Sequence, residues 1–371
     1  MKAGWQTTTL GAVAQIGAGN SAPQKDELFT NGTHPFFRTS DAGRVRFGDI
    51  FESSDYLNDE GVKGLRRFPK GTILFPKSGA STFLNHRVML GVDGFVSSHL
   101  ATIVGDEGKV NRRFLLYFLT TVEAQALIQD HAYPSLNLPA IAGIPVYLST
   151  LPEQQRIVAI LDEAFDGIAV ARTNAEQNLQ NARALFESHL HGINAEKALL
   201  GDLVKITTGK LDANAAVEGG AFPFFTCSRE IFAIDKYAFD CEAILLAGNN
   251  AVGDFNVKHY KGKFNAYQRT YVITVNEQKR VLYRFLYFQM LKSLKKFKEQ
   301  SVGAGTKFLK LGMIKEMGIE LPNLAEQERI VSTMDSVRKE TQRLESLYQR
   351  KLAALDELKK SLLHQAFSGV L

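Results

Sequence analysis

What this 371-residue sequence lacks narrows its chemistry first. It has two cysteines, Cys227 and Cys241, which supply neither a disulfide framework nor a metal-ligand spacing. No stretch approaches the ~18 consecutive apolar residues of a membrane span. The opening MKAGWQTTTLGAVAQIG carries no long apolar core of a secretory signal. The expectation is a soluble chain in a reducing cytoplasm, with no membrane partner.

Catalytic signatures are missing as well. There is no G-x-x-x-x-G-K-[ST] phosphate loop, because GAGTKF from Gly303 has the wrong spacing. No G-x-G-x-x-G follows a strand, so a dinucleotide site is unsupported. The Asp/Asn-Pro-Pro-aromatic signature of methyltransferases does not occur. Of the eight histidines only His189 and His191 stand close together, and no nucleophile elbow is present. We therefore expect no catalytic residues, no metal site and no cofactor in this chain.

What the sequence does contain is a repeat. STLPEQQRIVAILDEAF begins at Ser149 and PNLAEQERIVSTMDSVR at Pro322. Gln154–Val158 and Gln327–Val331 match at a constant offset of 173 positions. Five further segments match in the same order: LGAVAQIGAGN with LGDLVKITTGK, HPFFRTSD with FPFFTCSR, GTILFPKSGA with EAILLAGNNA, SSHLATIV with YQRTYVIT, and RFLLYFL with RFLYFQM. Such order marks an internal duplication.

Each half has two parts. Residues 1–150 and 193–323 are rich in β-branched and aromatic residues, glycine and turn signals, which predicts α+β globules with loop-rich sheets. NRRFLLYFLTTVEAQALIQ and VLYRFLYFQMLKSLKKF read as helices inside them. Residues 151–192 and 324–371 each read as one long helix. Thr150 with Glu153, and Asn323 with Glu326, fit capping boxes, and Pro152 is tolerated in a first turn. The first helix carries an apolar seam through Leu161, Phe165, Ile168, Arg172, Ala175, Leu179, Ala182 and Phe186. The second carries Ile330, Met334, Val337, Thr341, Leu344, Tyr348, Leu352, Leu355, Leu358 and Leu362. A seam that long must be buried, and pairing of the two helices with one another as an antiparallel coiled coil is the expected solution. About 38 residues make a rod of roughly 57 Å, or about 17 base pairs of duplex at ~3.4 Å each. The repeated helix then reads as a spacer between two similar readers, with half-site separation set by protein geometry.

A net charge of +5 and a sequence pI near 9.0 permit a nucleic-acid partner. Basic and amide side chains sit among turns in both globules. In the first the candidate DNA contacts are Arg38, Thr39, Ser40 and Asp41, then Lys77, Ser78 and Gly79, then Ser98 and His99. In the second they are Thr226, Ser228 and Arg229, then Asn249 and Asn250, then Gln268 and Arg269, then Thr306 and Lys307. Arg and Lys neutralise phosphates and donate to guanine, whereas Asn and Gln pair with adenine. Ser98-His99 matches Gln268-Arg269 in the repeat, and Lys77-Ser78-Gly79 matches Ala247-Gly248-Asn249. LKSLKKFKEQ from Leu291 reads equally as a phosphate-binding face or as solvated helix surface.

Taken together, LPEQQRIVAILD, LPNLAEQERIVSTMD, the closing LDELKKSLLHQAFSGVL, the opening W-to-LGAVAQIGAG stretch, PFFRTSD and PFFTCS resemble the specificity subunit (HsdS) of Type I restriction–modification systems over essentially the whole chain. AGNN stands where the first half has KSGA, a divergence that suits domains reading different bases. The resemblance implies two target-recognition domains reading a split, asymmetric sequence in double-stranded DNA. It further implies that the paired helices dock two methyltransferase (M) subunits, and that restriction (R) subunits join them. By that resemblance S-adenosylmethionine, ATP and Mg belong to those partners. Three other readings remain open here. They are the recognition chain of a related fused restriction system, a coiled-coil adaptor with protein- or glycan-binding globules, and a hydrolase without a recognised signature.

Overall fold

The structure is a computed structural model that describes residues 4–128, 135–191, 195–277 and 280–371. The side chain of His191 and the end of the first globule's expected helix at Gln129 lie outside the described residues. Two compact units emerge. The first comprises Met1–Thr173 with Leu352–Leu371, and the second Asn174–Lys351.

In the first unit, strands β1 (Ala14–Ala18), β2 (Ile73–Pro76), β3 (Arg87–Leu90) and β4 (Leu100–Gly105) form a sheet in the order β1-β4-β2-β3. Phe47–Ile50 extends it parallel to β3. Alternation along the strands separates two faces. Ile73, Phe75 and Ile103 pack with Phe114, Leu115 and Phe118 of helix α1 (Arg112–Thr120). Leu74, Val88 and Leu100 pack with Phe37 and Phe68 on the other face. Helix α1 stops earlier than its sequence suggests. The hydroxyls of Thr120 and Thr121 turn back to donate to the carbonyls of Tyr117 (2.6 Å) and Phe118 (2.7 Å), and a short 3-10 turn, Ala124–Leu127, follows. Such local side-chain bonds compete with helix continuation.

The second unit repeats the plan. β5 (Val204–Thr208), β6 (Phe239–Ala247), β7 (Val257–Ala266) and β8 (Thr270–Val275) lie in the order β5-β8-β6-β7, with Phe222–Phe225 parallel to β7. Ile244, Leu246 and Ile273 meet Phe285, Leu286 and Phe288 of helix α3 (Tyr283–Gln300). Both globules close on themselves in the same way. Gln6–Thr9 pairs antiparallel with Pro145–Leu148, and Lys197–Leu199 with Gly318–Glu320, so each chain enters and leaves side by side.

The long helices are α2 (Leu151–His191) and α4 (Leu324–Ser368), far above the usual length. Each is shared between the units, and within each unit their segments pair antiparallel. In the first, Arg172 bonds Asp356, while the Lys359 ammonium lies 4.5 Å and 4.9 Å from the ring centres of Phe47 and Phe165. In the second, Arg183 meets Glu345 at 2.7 Å, and Thr341 donates to the Ala182 carbonyl at 3.4 Å. The seam residues Leu161, Phe165, Ile168, Leu179, Phe186, Met334, Val337, Leu344, Leu355 and Leu362 are all buried or half-buried. Leu358 departs from the expectation, at 47% exposed. There the seam steps to Lys359, whose ammonium lies over the two aromatic rings, and continues through Leu362, Leu363 and Ala366. Phe367 ends it edge-on against Phe114 and Phe118, at 5.1 and 5.4 Å between centres.

The repeated helix starts have a function that their sequence does not declare. Gln154 and Gln327 are fully buried. The Gln154 amide oxygen accepts from the backbone N–H of Asn111 (2.8 Å), and its nitrogen donates to the carbonyls of Ser149 (2.9 Å) and Lys109 (3.3 Å). Gln327 accepts from Leu282 (2.9 Å) and donates to Pro322 (2.8 Å) and Arg280 (2.9 Å). Asn111 and Leu282 are the N-cap residues of α1 and α3, so one glutamine per unit fixes the globule's helix to the long helix. About two turns further along each long helix, Arg113 reaches Asp162 (3.3 Å) and Arg284 reaches Asp335 (2.9 Å). Of the expected capping boxes, the second shows its N-cap bond. Asn323 accepts from the Glu326 N–H (3.0 Å), and the carboxylates of Glu153 and Glu326 accept from Arg156 and Arg329.

Candidate nucleic-acid interface

In each globule several segments converge on one turn. In the first unit the turn is 97–100. The Ser97 N–H donates to Phe37 (2.9 Å), Ser98 to Asn20 (2.7 Å), Lys77 to His99 (3.0 Å), and Leu136 to Lys77 (2.8 Å). In the second it is 267–270. Tyr267 donates to Phe225 (2.9 Å), Gln268 to Leu211 (2.8 Å), Gly248 to Arg269 (2.9 Å), and Leu309 to Gly248 (2.9 Å). The two meshes correspond bond for bond. They also correct the register read from sequence, since Lys77 is answered by Gly248 rather than by Ala247.

Glycines make the convergence possible. A Cβ on Gly19 would stand 2.3 Å from the Ser97 carbonyl oxygen, and one on Gly209 would stand 1.8 Å from that of Ala266. Neither distance is compatible with any side chain. The pair was visible as the aligned glycines of LGAVAQIGAGN and LGDLVKITTGK, but only the fold shows what they touch.

On this frame the first unit brings together Lys77, Ser78, Gly79, Ser98 and His99. The Ser78 hydroxyl lies 2.7 Å from His99 Nδ1, and Gly79, at φ +73°, turns the chain away into a short 3-10 helix. Asn20, which sequence reasoning passed over, holds the Arg66 backbone from both sides at 2.8 and 2.9 Å and so brings exposed Arg66 to the rim. Arg38 follows Phe37 directly, but its guanidinium is tied to Asp55 and lies over Phe36. Thr39 is half-buried and Ser40 exposed at the start of the helix Thr39–Val45. Asp41 needs correcting as a contact. It is 1% exposed, and its carboxylate accepts from Arg38 N–H (2.8 Å), Ser54 N–H (2.9 Å) and the Ser54 hydroxyl (2.7 Å). It builds the loop and presents nothing outward.

In the second unit Asn249 and Asn250 pair in register with Phe308 and Lys307. This places Lys307 and Thr306 beside the turn, with the Arg269 guanidinium 5.3 Å from the Phe308 ring centre. Gln268 is exposed, and its amide donates to Asp212 at 3.3 Å. Arg229 forms a bidentate pair with Asp254 at 2.7 and 2.8 Å, leaving the group fixed and outward. Asn250 is partly spent, since its oxygen accepts from Val252 and Asp254 N–H. Thr226 is the second correction: it is 6% exposed, and its hydroxyl accepts from Ser228 N–H at 3.2 Å. Ser228 remains half-buried at the edge. Exposed Lys210, beside Gly209, joins the second set and was missed.

Chemically these are two rigid turns, each rimmed by amide, guanidinium and ammonium donors, suited to phosphates and base edges. Among the described residues no group of three His, Cys, Asp or Glu side chains could hold a metal ion, and no helix is long and apolar enough to cross a membrane.

The family model for the Type I restriction modification DNA specificity domain matches this chain twice, over residues 2–180 and 193–352. The chain belongs to that family. The Type I restriction enzyme EcoDI specificity subunit of Escherichia coli is 38% identical over 172 residues, which is 46% of this chain and 37% of that subunit. The match thus spans little more than a third of that relative's length. The fold is similar to a chain solved in work on complex assembly and conformational transition of the type I R-M system, with TM-score 0.78 and 17% identity over 99% of this chain and 98% of that one. It is also similar to the HsdS subunit from Thermoanaerobacter tengcongensis, with TM-score 0.59 and 16% identity over 100% and 98%. These two matches establish the architecture of a specificity chain: two α+β globules, each followed by a long helix.

Proposed function

We propose that this chain is the non-catalytic DNA-recognition subunit of a Type I restriction–modification complex. Each globule reads one half of a bipartite, asymmetric target, and the paired helices set the gap between the halves and dock two methyltransferase subunits, to which restriction subunits are added. S-adenosylmethionine, ATP and Mg would be bound by those partners. The carrying observation is the duplicated backbone mesh, which presents Lys77, Ser78, Ser98 and His99 in one unit and Asn249, Gln268, Arg269 and Lys307 in the other. Equal frames with unequal donors favour two different half-sites over a palindrome. The domain division that goes with this reading is 1–150 and 193–323 for the recognition globules, with 151–192 and 324–371 as spacers.

The test is co-expression with the cognate methyltransferase, followed by modification-sensitive sequencing of host DNA. N6-methyladenine in a split motif with a fixed gap is expected. A soluble complex that leaves no new methylation, and binds duplex DNA no differently at low and high salt, would overturn the reading.

A further inference from the structure

The two globules differ in one feature with electrostatic consequences. Helix α3 has 18 residues where α1 has nine. Its extra turns carry LKSLKKFKEQ, anchored by Phe297, which is 1% exposed. Lys292 is committed to Glu320 at 2.7 Å. Lys295 and Lys298 are exposed and, among the described residues, form no ion pair. They line one wall of a groove of about 510 Å³ with Arg229, Lys258 and Arg338, over an apolar floor that includes Leu291 and Leu294.

The charges in this groove do not cancel. Among the described residues that line it the one acid, Asp254, is held by Arg229. The Lys258 ammonium donates to the Ser228 carbonyl (2.6 Å) and the Asn256 side chain (2.5 Å), and Arg338 donates to the Tyr287 hydroxyl (2.6 Å), all neutral acceptors. Burial lowers the Lys258 pKa, opposed by nearby Cys227 and reinforced by the Arg229 charge. A groove of about 600 Å³ in the first unit offers a contrast. Its Arg112 is paired with Glu107, and its Arg113 with Asp49 and Asp162.

The basic groove also continues from the interface. A Cβ on Gly253 would lie 3.3 Å from Lys298 Cγ and 3.4 Å from Lys307 Cγ, so both stems converge on one stretch of backbone. Arg229 belongs to both the groove and the candidate contacts. Cations therefore run on from the recognition turn, past Gly253, into the groove.

We infer that this groove seats the phosphodiester backbone beside the half-site read by the second globule, as an anchor for duplex DNA that carries no sequence information. The inference rests on the DNA-recognition reading above. Each phosphate neutralised contributes about 0.9 to the salt slope. Two lost contacts therefore correspond to a slope change of about 1.8, and to about a thirty-fold loss of affinity at 0.15 M salt.

The experiment uses the complex of this chain with its methyltransferase and compares wild type with the Lys295→Gln/Lys298→Gln double variant. Affinity is followed against KCl concentration on a target duplex and on a scrambled duplex of equal length. The expected result is the reduced slope and a similar loss on both duplexes, with the methylated motif unchanged. Lys360→Gln, an exposed lysine paired with Glu357, should leave the slope as it is. An unchanged slope in the double variant overturns the inference, as does a loss confined to the target duplex. A failure to assemble with the methyltransferase at unchanged salt slope also overturns it and assigns the groove to an acidic protein surface. An equal effect of Lys360→Gln reduces it to bulk charge. Wild-type complex with no salt-dependent binding overturns the DNA reading itself and the groove with it.

Discussion

Replacing Gln154 with Leu removes the anchor between the first globule and its long helix while keeping similar volume. The side chain is fully buried and makes three bonds to backbone, with Asn111 N–H, the Ser149 carbonyl and the Lys109 carbonyl. A buried group left without its partner costs about 1–3 kcal/mol. The N–H has no second option. Ser149 and Lys109 retain a lone pair each, and the 3.3 Å bond to Lys109 is the weakest of the three. We assign about 2 kcal/mol to Asn111 and about 1 to each carbonyl, offset by about 1 from the apolar surface Leu adds. The net loss is about 3 kcal/mol. The single tryptophan, Trp5, packs on the same core 6.3 Å from Phe114 and reports this unit. With a urea slope of about 2 kcal/mol per molar, the Trp5 fluorescence midpoint should fall by about 1.5 M. A shift below about 0.5 M at unchanged slope would refute the claim that this glutamine joins the two elements.

Gly209→Ala should cost about 3 kcal/mol or more, because the added carbon meets the Ala266 carbonyl backbone and not a movable side chain. Denaturation should detect that loss, and motif sequencing should show one half-site degraded. Leu179→Pro breaks the interior of α2 at a cost of about 3 kcal/mol or more. Co-purification with the methyltransferase should fail, or the gap in the methylated motif should change. Arg284→Met removes the Asp335 ion pair and the guanidinium held 5.0 Å from the Phe288 ring centre, groups that are part-exposed and hence contribute about 1–2 kcal/mol together; thermal unfolding of the complex measures it. Gln268→Ala with Arg269→Ala should relax one half-site and leave the other intact. Equal damage to both halves would make these residues positioners of backbone.

The long helices were legible because seam spacing is a repeated local signal and because QRIV and ERIV mark their starts at a fixed offset. The seam residues followed, since period and burial are the same physical fact along a helix. Leu358 departs from the seam because a heptad rule prefers leucine to lysine, whereas the rings of Phe47 and Phe165 take the ammonium of Lys359 over their faces. Asp41 and Thr226 misled for a related reason. A polar residue in a turn looks available in sequence, but here both satisfy the loop's own N–H groups. Gln154 and Gln327 are legible in the sequence as motif letters but not as bonds, because their partners lie some 45 residues away along the chain. Asn20 and Lys210 are not legible in the sequence because nothing local distinguishes them from solvated loop, and basic Arg66 is visible there only as one charge among several.

If each globule reads DNA as proposed, the same contrast lets the two differ without destabilising either. The bonds that shape each interface turn are backbone to backbone: Phe37 to Ser97, Asn20 to Ser98, Lys77 to His99 in one unit, and Phe225 to Tyr267, Leu211 to Gln268, Gly248 to Arg269 in the other. None of them requires a particular side chain, apart from the glycines whose Cβ would collide. The residues that project from the turns can therefore change between lysine, histidine, asparagine, glutamine and arginine while the frame stays the same. On the proposed reading, specificity falls to side chains that the fold does not need, and stability to amides and glycines that carry no sequence information. Substitutions should divide on that line. Changes at Gly19, Gly209, Gln154 or Gln327 should weaken a unit whatever DNA is offered, and changes at His99, Gln268 or Arg269 should alter which DNA is read at little cost in stability.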